Sequence, residues 1–168
     1  MTTLILVSGL PGTQRTPLAA RLARECGYAL LAKDTITHSL ASADVVGKFA
    51  AYTVMFGLAA LNLGNGLSVV LDGSFSLPRT RTQARTVAEA HGATFVAVSC
   101  VCSDTPRWQA ALTAHPPQAE GWAAADFTSI EKMQKRYYPW KGPHLLLDAV
   151  QSVDENYQTL LTYLAALV

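Results

Sequence analysis

Apolar residues along the chain fall into short continuous runs that alternate with longer amphipathic stretches. Apolar runs of about four to eight residues, bounded by polar or turn residues, are typical of strands buried on both faces of a parallel sheet. Amphipathic stretches with a period of about 3.6 residues predict helices. The predicted strands are residues 4–8, 28–32, 68–71, 94–101 and 145–147. The predicted helices are residues 16–26, 34–40, 44–63, 78–91, 105–114, 127–136 and 153–167.

Strand and helix alternate over the whole length of the chain. This pattern predicts an α/β fold of three layers, a five-stranded parallel sheet joined by right-handed crossovers with helices on both faces. The chain of 168 residues contains no linker and no internal repeat, so we expect one domain over residues 1–168. Ligands of such sheets bind at the carboxyl ends of the strands. The candidate site therefore comprises residues 9–16, 33–34 and 72–74.

The segment after the first strand has the spacing of a phosphate-binding loop. The intact motif reads Gly, four residues, Gly, Lys and Ser or Thr, between a buried strand and a helix. Gly9 opens the segment and Thr16 closes it, but Gln14 replaces the second glycine and Arg15 replaces the lysine. In these loops, backbone N–H groups and the helix N-terminus hold phosphate. The segment therefore predicts a P-loop NTPase fold with a degenerate Walker A motif.

The chain resembles the small P-loop kinases, and in particular the AAA-type ATP-binding kinases related to chloramphenicol phosphotransferase and zeta toxin. The resemblance covers nearly the whole chain. It rests on four features: VSGLPG at 7–12, Asp34 after the second strand, VVLDGS at 69–74 before an arginine-bearing helix, and the strand at 96–101 followed by DTPR at 104–107. The resemblance implies phosphoryl transfer, dependent on ATP and Mg²⁺, to a hydroxyl of a small molecule or other acceptor.

The resemblance also implies roles for individual residues. The loop residues would wrap the phosphates, and these are Gly9, Leu10, Pro11, Gly12, Thr13, Gln14, Arg15 and Thr16. Arg15 stands where a catalytic lysine contacts the β- and γ-phosphates, and Thr16 stands where a hydroxyl binds Mg²⁺. Asp34 stands at the position of a general base, and Asp72 stands near the metal or the acceptor. Arg107, or an arginine of the 78–91 helix, would clamp phosphate or acceptor.

The two departures from the motif bear directly on the phosphates. Loop positions with φ above zero favour glycine, and another residue there costs about 1–3 kcal/mol. Gln14 is therefore expected to strain the loop or to occupy the space of a phosphate. Arg15 keeps the positive charge, but its planar guanidinium does not match a compact ammonium. Residues 110–121 contain no arginine, so the predicted lid lacks the clamps that stabilise transferring phosphates.

Three functions are consistent with the residues. The first is an ATP-dependent kinase. The second is a catalytically inactive protein of the same fold that binds a nucleotide or anion, or serves as an interaction module. If so, Gln14→Gly with Arg15→Lys should create nucleotide affinity. The third is a binder of sulfate, phosphate or a phosphosugar, held by Arg15 and the helix amides.

Simpler structural roles exist for several of these residues. Asp34 or Thr35 could cap the following helix, and Asp72 could cap the turn at Gly73. The three arginines of the 78–91 helix are consistent with a solvated face.

Net charge, the length of the apolar stretches and the cysteine spacing limit the classes of partner expected for the chain. A net charge of +1 offers no basic surface for nucleic acid. The longest apolar stretch, residues 49–63, is shorter than the roughly 20 residues of a membrane span, so it predicts a helix buried in the core or in a dimer interface. The N-terminus lacks the features of a secretory signal, and the three cysteines lack a disulfide or metal spacing. We therefore expect a cytoplasmic protein with reduced thiols and no membrane partner, and the oligomeric state stays open.

Overall fold

A computed structural model of the chain describes residues 1–47, 49–114 and 127–167. Its five strands are β1 (Thr3–Gly9), β2 (Ala29–Ala32), β3 (Val69–Gly73), β4 (Thr94–Val101) and β5 (Leu145–Asp148). The described helices are α1 (Arg15–Cys26), α2 (Lys33–Ala41), α3 (Ala50–Gly64), α4 (Pro78–Ala90), α5 (Thr105–Ala114), α6 (Phe127–Gln134) and α7 (Val153–Ala165). The predicted α/β fold with a five-stranded parallel sheet and helices on both faces is confirmed.

Strand β1 is the centre of the sheet, whose strand order is β2-β3-β1-β4-β5. Leu4 of β1 pairs with Val69 of β3 on one side and with Phe95 of β4 on the other, and all these pairings are parallel. Each parallel strand of this chain leads into a helix that covers a face of the sheet. The carboxyl end of β1, where the candidate loop begins, therefore lies between the ends of β3 and β4.

The two faces of β1 are buried in separate apolar layers because alternate residues of a strand point to opposite faces. Ile5 and Val7 pack against α1 and α7, whose contributions include Leu18, Leu22, Tyr157 and Leu160. Leu4 and Leu6 pack against α3 and α4, whose contributions include Met55, Phe56, Ala84 and Ala88. Both faces of the central strand are thus filled, so the edge at the strand ends is the part left for polar chemistry.

Helix α3 begins later than the sequence predicts. The prediction placed a helix at 44–63, but the helix starts at Ala50. Asp44 takes a left-handed φ of 56° and its N–H bonds to the carbonyl of Ala41, which ends α2 and turns the chain. One face of α3 packs in the core, as predicted, whereas Leu61 on its outer face is 61% exposed. In the described part of the chain, no helix has the length and apolarity to cross a membrane.

The arginines of α4 are not a uniform solvated face. Arg79 and Arg85 are exposed, but Arg81 is buried and its guanidinium donates to three backbone carbonyls. The acceptors are Phe75 at 2.6 Å, Tyr138 at 2.7 Å and Pro139 at 3.1 Å. Burial lowers the pKa of Arg81. The solvated-face interpretation is therefore wrong for Arg81, which ties the segment before β5 to the turn after β3.

Candidate functional site

The loop of residues 9–16 joins β1 to the N-terminus of α1 with three positive φ angles. These are 157° at Gly9, 79° at Gly12 and 63° at Gln14. A Cβ on Gly9 would lie 2.6 Å from the carbonyl oxygen of Cys100, so only glycine fits there. Gln14 takes the left-handed conformation at the position that the intact motif gives to glycine. The loop thus keeps the backbone curvature of the motif and carries the strain that the sequence predicts at Gln14.

The side chain of Gln14 is held at the connection between β5 and α7. Its Nε2 donates to the carbonyl of Gln151 at 2.8 Å and to that of Ala149 at 3.4 Å. Its Oε1 accepts from Nδ2 of the buried Asn156 at 2.9 Å, and Asn156 also donates to the carbonyl of Asp148. These bonds offset part of the strain of a left-handed glutamine. They also tie the loop to a segment that is distant in sequence.

Trp108 of α5 supports the opposite side of the loop. Its Nε1 donates to the carbonyl of Pro11 at 2.7 Å, and a Cβ on Gly12 would lie 2.9 Å from its ring. The ring is buried in an apolar cluster beneath the loop. The Thr13 hydroxyl is also used within the loop, where it donates to the carbonyl of Leu10 at 2.7 Å. Trp108 and Thr13 therefore fix the shape of the loop and leave its backbone to face a ligand.

A cavity of about 500 Å³ opens beside the loop. Its lining residues are Leu10, Pro11, Gly12, Gln14, Arg15, Thr16, Pro17, Ala111 and Val153. Helix α1 has no side-chain cap at its N-terminus, so no side chain competes with an anion for the N–H groups of its first turn. Small-molecule sites have volumes of about 300–1,000 Å³. The loop, the helix end and the cavity together fit the phosphates and body of a nucleotide.

Arg15 is buried at the centre of the site, with 8% of its side chain exposed. Its Nε lies 2.5 Å from Oδ1 of Asp72, and its Nη2 lies 2.9 Å from Oδ2 of Asp34. Nη1 donates to the carbonyl of Gly9 at 3.0 Å, and Nη2 also donates to Oγ1 of Thr16 at 3.3 Å. The structure thus brings the three predicted catalytic residues into one ion-paired group.

The two carboxylates of this group lie in different surroundings. The side chain of Asp72 is 3% exposed, whereas that of Asp34 is 55% exposed. Burial raises the pKa of Asp72, and the Arg15 charge and a hydrogen bond from Thr16 work against the rise. Burial alone would lower the pKa of Arg15, but Asp72 and Asp34 outweigh it and raise that pKa. Asp72 therefore anchors the guanidinium, while Asp34 stays open to solvent.

Asp34 lies in the first turn of α2 and does not cap this helix. The cap position is Ala32, which makes no side-chain cap, so the capping role predicted for Asp34 or Thr35 is wrong. The ammonium of Lys33 lies 3.7 Å from Oδ1 of Asp34. Asp72 contacts Arg15 across the site, so the alternative role as a turn cap does not describe its carboxylate. Both acids face the loop, as expected of residues at the ends of neighbouring parallel strands.

The residues predicted for Mg²⁺ do not fit that ion while Arg15 holds its position. Mg²⁺ requires oxygen ligands in near-octahedral geometry at about 2.0–2.1 Å. The guanidinium contacts both predicted ligands, Thr16 Oγ1 and the Asp72 carboxylate. A metal ion could not bind both of these oxygens without displacing the Arg15 guanidinium. No group of three or more His, Cys, Asp or Glu side chains in the described ranges could hold a metal ion.

Arg107 is not in the ion-paired group. It is exposed on the first turn of α5, and its backbone N–H bonds to the carboxylate of Asp104. Its role as a phosphate clamp stays a prediction. Of the predicted lid at 110–121, residues 115–121 lie outside the described residues.

Sequence reasoning missed two residues that shape the site. Trp108 follows the DTPR segment, and its indole N–H reaches the loop. Asn156 is a buried amide on the inner face of α7, among apolar residues such as Tyr157 and Leu160. A buried amide needs hydrogen-bond partners. The signal that could have identified Asn156 was therefore a polar residue at a core-facing position of an amphipathic helix.

The sequence matches a known protein family over most of its length. A family model described as an AAA domain matches residues 4–139, most of the sequence. The chain belongs to this AAA-domain family. A comparison with curated proteins gives no significant match.

Solved structures share the fold of this AAA-domain protein over nearly its whole length. The APS kinase CysC of Mycobacterium tuberculosis, in complex with AMPPNP and APS, has a TM-score of 0.70 at 22% identity and 98% coverage of both chains. A gluconokinase from Sinorhizobium meliloti 1021 has a TM-score of 0.70 at 14% identity, with 99% of this chain and 93% of that chain covered.

A third similar structure is Kti12 of Chaetomium thermophilum in complex with ADP-AlF3. It has a TM-score of 0.64 at 18% identity, with 95% of this chain and 97% of that chain covered. Likeness at these identities concerns the fold. Together with the family match, it confirms the predicted resemblance of this AAA-domain protein to small P-loop kinases at the level of the fold.

Proposed function

We propose that the chain is a P-loop phosphotransferase that binds a nucleoside triphosphate, ATP, at residues 9–16. It transfers the terminal phosphoryl group to a hydroxyl of a small molecule. The observation that carries this proposal is the motif-like backbone of the loop around an uncapped helix N-terminus, beside a cavity of about 500 Å³. The likeness in fold to proteins solved with AMPPNP and ADP-AlF3 supports a nucleotide as the ligand.

In this proposal the backbone of the loop holds the phosphates. Backbone N–H groups at the start of α1, such as those of Arg15 and Thr16, donate to phosphate oxygens, since helix N-termini favour anions. Arg15 supplies the positive charge beside them, and Gln14 keeps the loop against the segment after β5. Arg107 lies on α5, which contributes Ala111 to the cavity, so it remains a proposed nucleotide contact.

Asp34 serves as the general base of the proposed reaction. Its carboxylate is the more exposed of the two acids, and an acceptor hydroxyl can therefore reach it. The acceptor oxygen forms a bond to the terminal phosphorus as the bond from that phosphorus to the bridging oxygen breaks. The hydroxyl proton passes to Asp34, and a nucleoside diphosphate leaves. Asp72 positions Arg15 and is proposed as a positioning residue.

Polar groups near Asp34 define where the acceptor binds. Lys33 lies beside the Asp34 carboxylate, and the hydroxyls of Tyr52 and Ser74 lie 3.3 Å apart at the turn after β3. Tyr52 also accepts the backbone N–H of Phe75, which has a strained φ of 43°. Strained residues cluster at functional sites. This turn is therefore the proposed acceptor side of the site.

Phosphoryl transfer can be tested with purified protein, ATP labelled at the terminal phosphate and a panel of hydroxyl compounds. A phosphorylated product is expected with at least one acceptor class. Asp34→Asn keeps the side chain's shape and its ability to accept from Arg15, so the transfer rate should fall by about 10²-fold or more while nucleotide affinity changes little. The exposed Asp44→Asn is the matched control, because asparagine tolerates its left-handed φ. Wild-type transfer rates in Asp34→Asn would remove Asp34 as the base.

A second candidate is nucleotide binding without turnover. The observation that favours it is the engagement of Arg15 with two carboxylates, which hold the guanidinium in place and leave it less free to follow a transferring phosphoryl group. Tight ATP binding without transfer to any acceptor would support this candidate. Tighter binding of inorganic phosphate than of ATP would instead support a simple anion binder.

The proposed setting of this activity is the cytoplasm, with residues 1–168 acting as one domain. The three cysteines, Cys26, Cys100 and Cys102, are free thiols, as suits a reducing compartment. Mass analysis of protein from unreduced cell extract should find them without disulfides.

A further inference from the structure

The Arg15 guanidinium has the ligand set of a bound cation. Four of its contacts are to oxygens: the carboxylates of Asp34 and Asp72, the hydroxyl of Thr16 and the carbonyl of Gly9. Arginine has five N–H donors and is always protonated in proteins. It is therefore a permanent, coordinated positive charge inside the loop.

This cation covers the oxygens that a metal would need. Thr16 Oγ1 and the Asp72 carboxylate are the predicted metal ligands, and both contact the same guanidinium. A lysine ammonium at position 15 would be compact and could not span all four oxygens at once. The arginine substitution therefore does more than conserve the charge of the motif.

The guanidinium lies beside the space in which a phosphate would bind. Its hydrogen bonds go to the carbonyl of Gly9, the hydroxyl of Thr16 and the carboxylate of Asp34, and its Nε lies against Oδ1 of Asp72. Arg15 and Thr16 both line the cavity of about 500 Å³ beside the loop. A phosphate oxygen in that cavity would thus meet a cation that is already held by protein ligands.

We propose that Arg15 takes the place of the divalent cation in this site, so that the chain binds a nucleoside triphosphate free of metal. The inference deepens the proposed function and rests on nucleotide binding at the same loop. In this inference the positive charge that faces the phosphates comes from the Arg15 side chain and not from a bound metal ion. Magnesium is then not required for affinity, in contrast to what the sequence motif implies.

The test is calorimetric titration of the wild-type chain with ATP, once with excess Mg²⁺ and once with a chelator. The two dissociation constants should agree within about threefold. Arg15→Lys frees the carboxylates, so its affinity in chelator should fall at least about tenfold below its affinity with Mg²⁺. Binding by the wild type only with Mg²⁺ would overturn the inference and leave the proposed function intact. Binding under neither condition would overturn the proposed function and this inference with it.

Two further measurements keep the test independent of how well Arg15→Lys folds. Asp72→Asn removes a metal ligand and keeps Arg15, so the ratio of its two affinities for ATP should stay near one. Selective loss of the affinity measured with Mg²⁺ would contradict the inference. Titration of the nucleotide-free wild type with Mn²⁺ should give no paramagnetic broadening of signals from Thr16 or Asp72, and broadening there would overturn it.

Discussion

Arg15 is the residue on which the chemistry of the site depends most. It is a buried cation between two carboxylates, and its nearest partner, Asp72, is itself almost fully buried. A buried ion pair contributes little net stability, but the loss of one partner leaves a buried charge without compensation. The Arg15–Asp72 pair therefore determines the charge at the loop. It also determines how much stability is lost when either residue is replaced.

Replacing Arg15 by alanine should destabilise the protein by about 3–5 kcal/mol near pH 7. The pKa of Asp72, already raised by burial, should rise further without its cation. A raised pKa means that the folded state binds the proton more tightly than the unfolded state, so the loss of stability should shrink as the pH falls. Urea unfolding near pH 7 and near pH 5 measures both values. Arg24→Ala, at an arginine with 74% of its side chain exposed, is the control. An equal loss at both pH values would contradict the role given to Asp72.

Gln14 should stabilise the loop despite its left-handed backbone. Gln14→Ala keeps the strain and loses the bonds to Gln151 and Asn156, so it should lower the free energy of unfolding by about 1–2 kcal/mol. Gln14→Gly loses the same bonds but relieves about 1 kcal/mol of strain, so it should lie closer to the wild type. Thermal unfolding compares them, with the exposed Gln158→Ala as control. A more stable Gln14→Gly than wild type would show that the bonds contribute less than the strain costs.

The sequence predicted the positive φ at Gln14 but not the position of its side chain. The motif requires a left-handed residue at that place, which is local information. The partners of the side chain are carbonyls and an amide about 135 to 142 positions further along the chain. Their proximity depends on β5 and α7 docking beside the loop. The same holds for Arg15, whose partners follow two other strands.

At the scale of elements, α7 supports the site through its first turn. Ser152 and Glu155 form a capping box there, immediately after the carbonyls that bind Gln14. The Ser152 hydroxyl and backbone N–H lower the pKa of Glu155. This cap fixes where the segment before α7 turns, and therefore where the partners of Gln14 lie.

Ser152→Ala should cost about 1 kcal/mol of stability near neutral pH, because the hydroxyl no longer satisfies a helix N–H. The lowered pKa of Glu155 means that its contribution is present above the unfolded pKa of about 4.5 and is lost as the pH falls through the folded value. The difference between variant and wild type should therefore shrink in acid. Chemical unfolding across this range provides the measurement. Ser42→Ala, at the C-terminal end of α2, is the matched control, and an acid-independent difference would contradict the coupling.

The bounds of the helices and strands show which features the pattern of apolar and polar residues predicts and which it does not. Strand β4 and helix α5 are predicted to within one residue of their observed bounds because apolar runs and turn residues delimit them clearly. The sequence predicts a helix at residues 44–47, since no glycine or proline precedes Gly47 in that stretch. Asp44 adopts a left-handed conformation that aspartate tolerates better than most residues. This left-handed conformation depends on the hydrogen bonds that end α2, and the sequence pattern does not reveal those bonds.

At the scale of the whole molecule, strand order explains why distant residues form one site. The order β2-β3-β1-β4-β5 places the ends of β2 and β3 next to the loop after β1. Asp34, Asp72 and residues 9–16 therefore meet, as the sequence predicted from the rule for parallel sheets. The rule predicts at which edge of the sheet the site lies, but it does not predict which charged side chains are in contact there. It could not show that Arg15 would be enclosed by both acids.

Binding of a nucleoside triphosphate at residues 9–16 is tested most directly by calorimetry of the purified, nucleotide-free protein. ATP is titrated with excess Mg²⁺ and, separately, with a chelator, and inorganic phosphate serves as the control ligand. Micromolar binding of ATP, tighter than that of phosphate, is the predicted result, because the loop keeps its curvature and its free helix end. No heat with ATP under either condition, from protein shown to be folded, would contradict a nucleotide site in this loop.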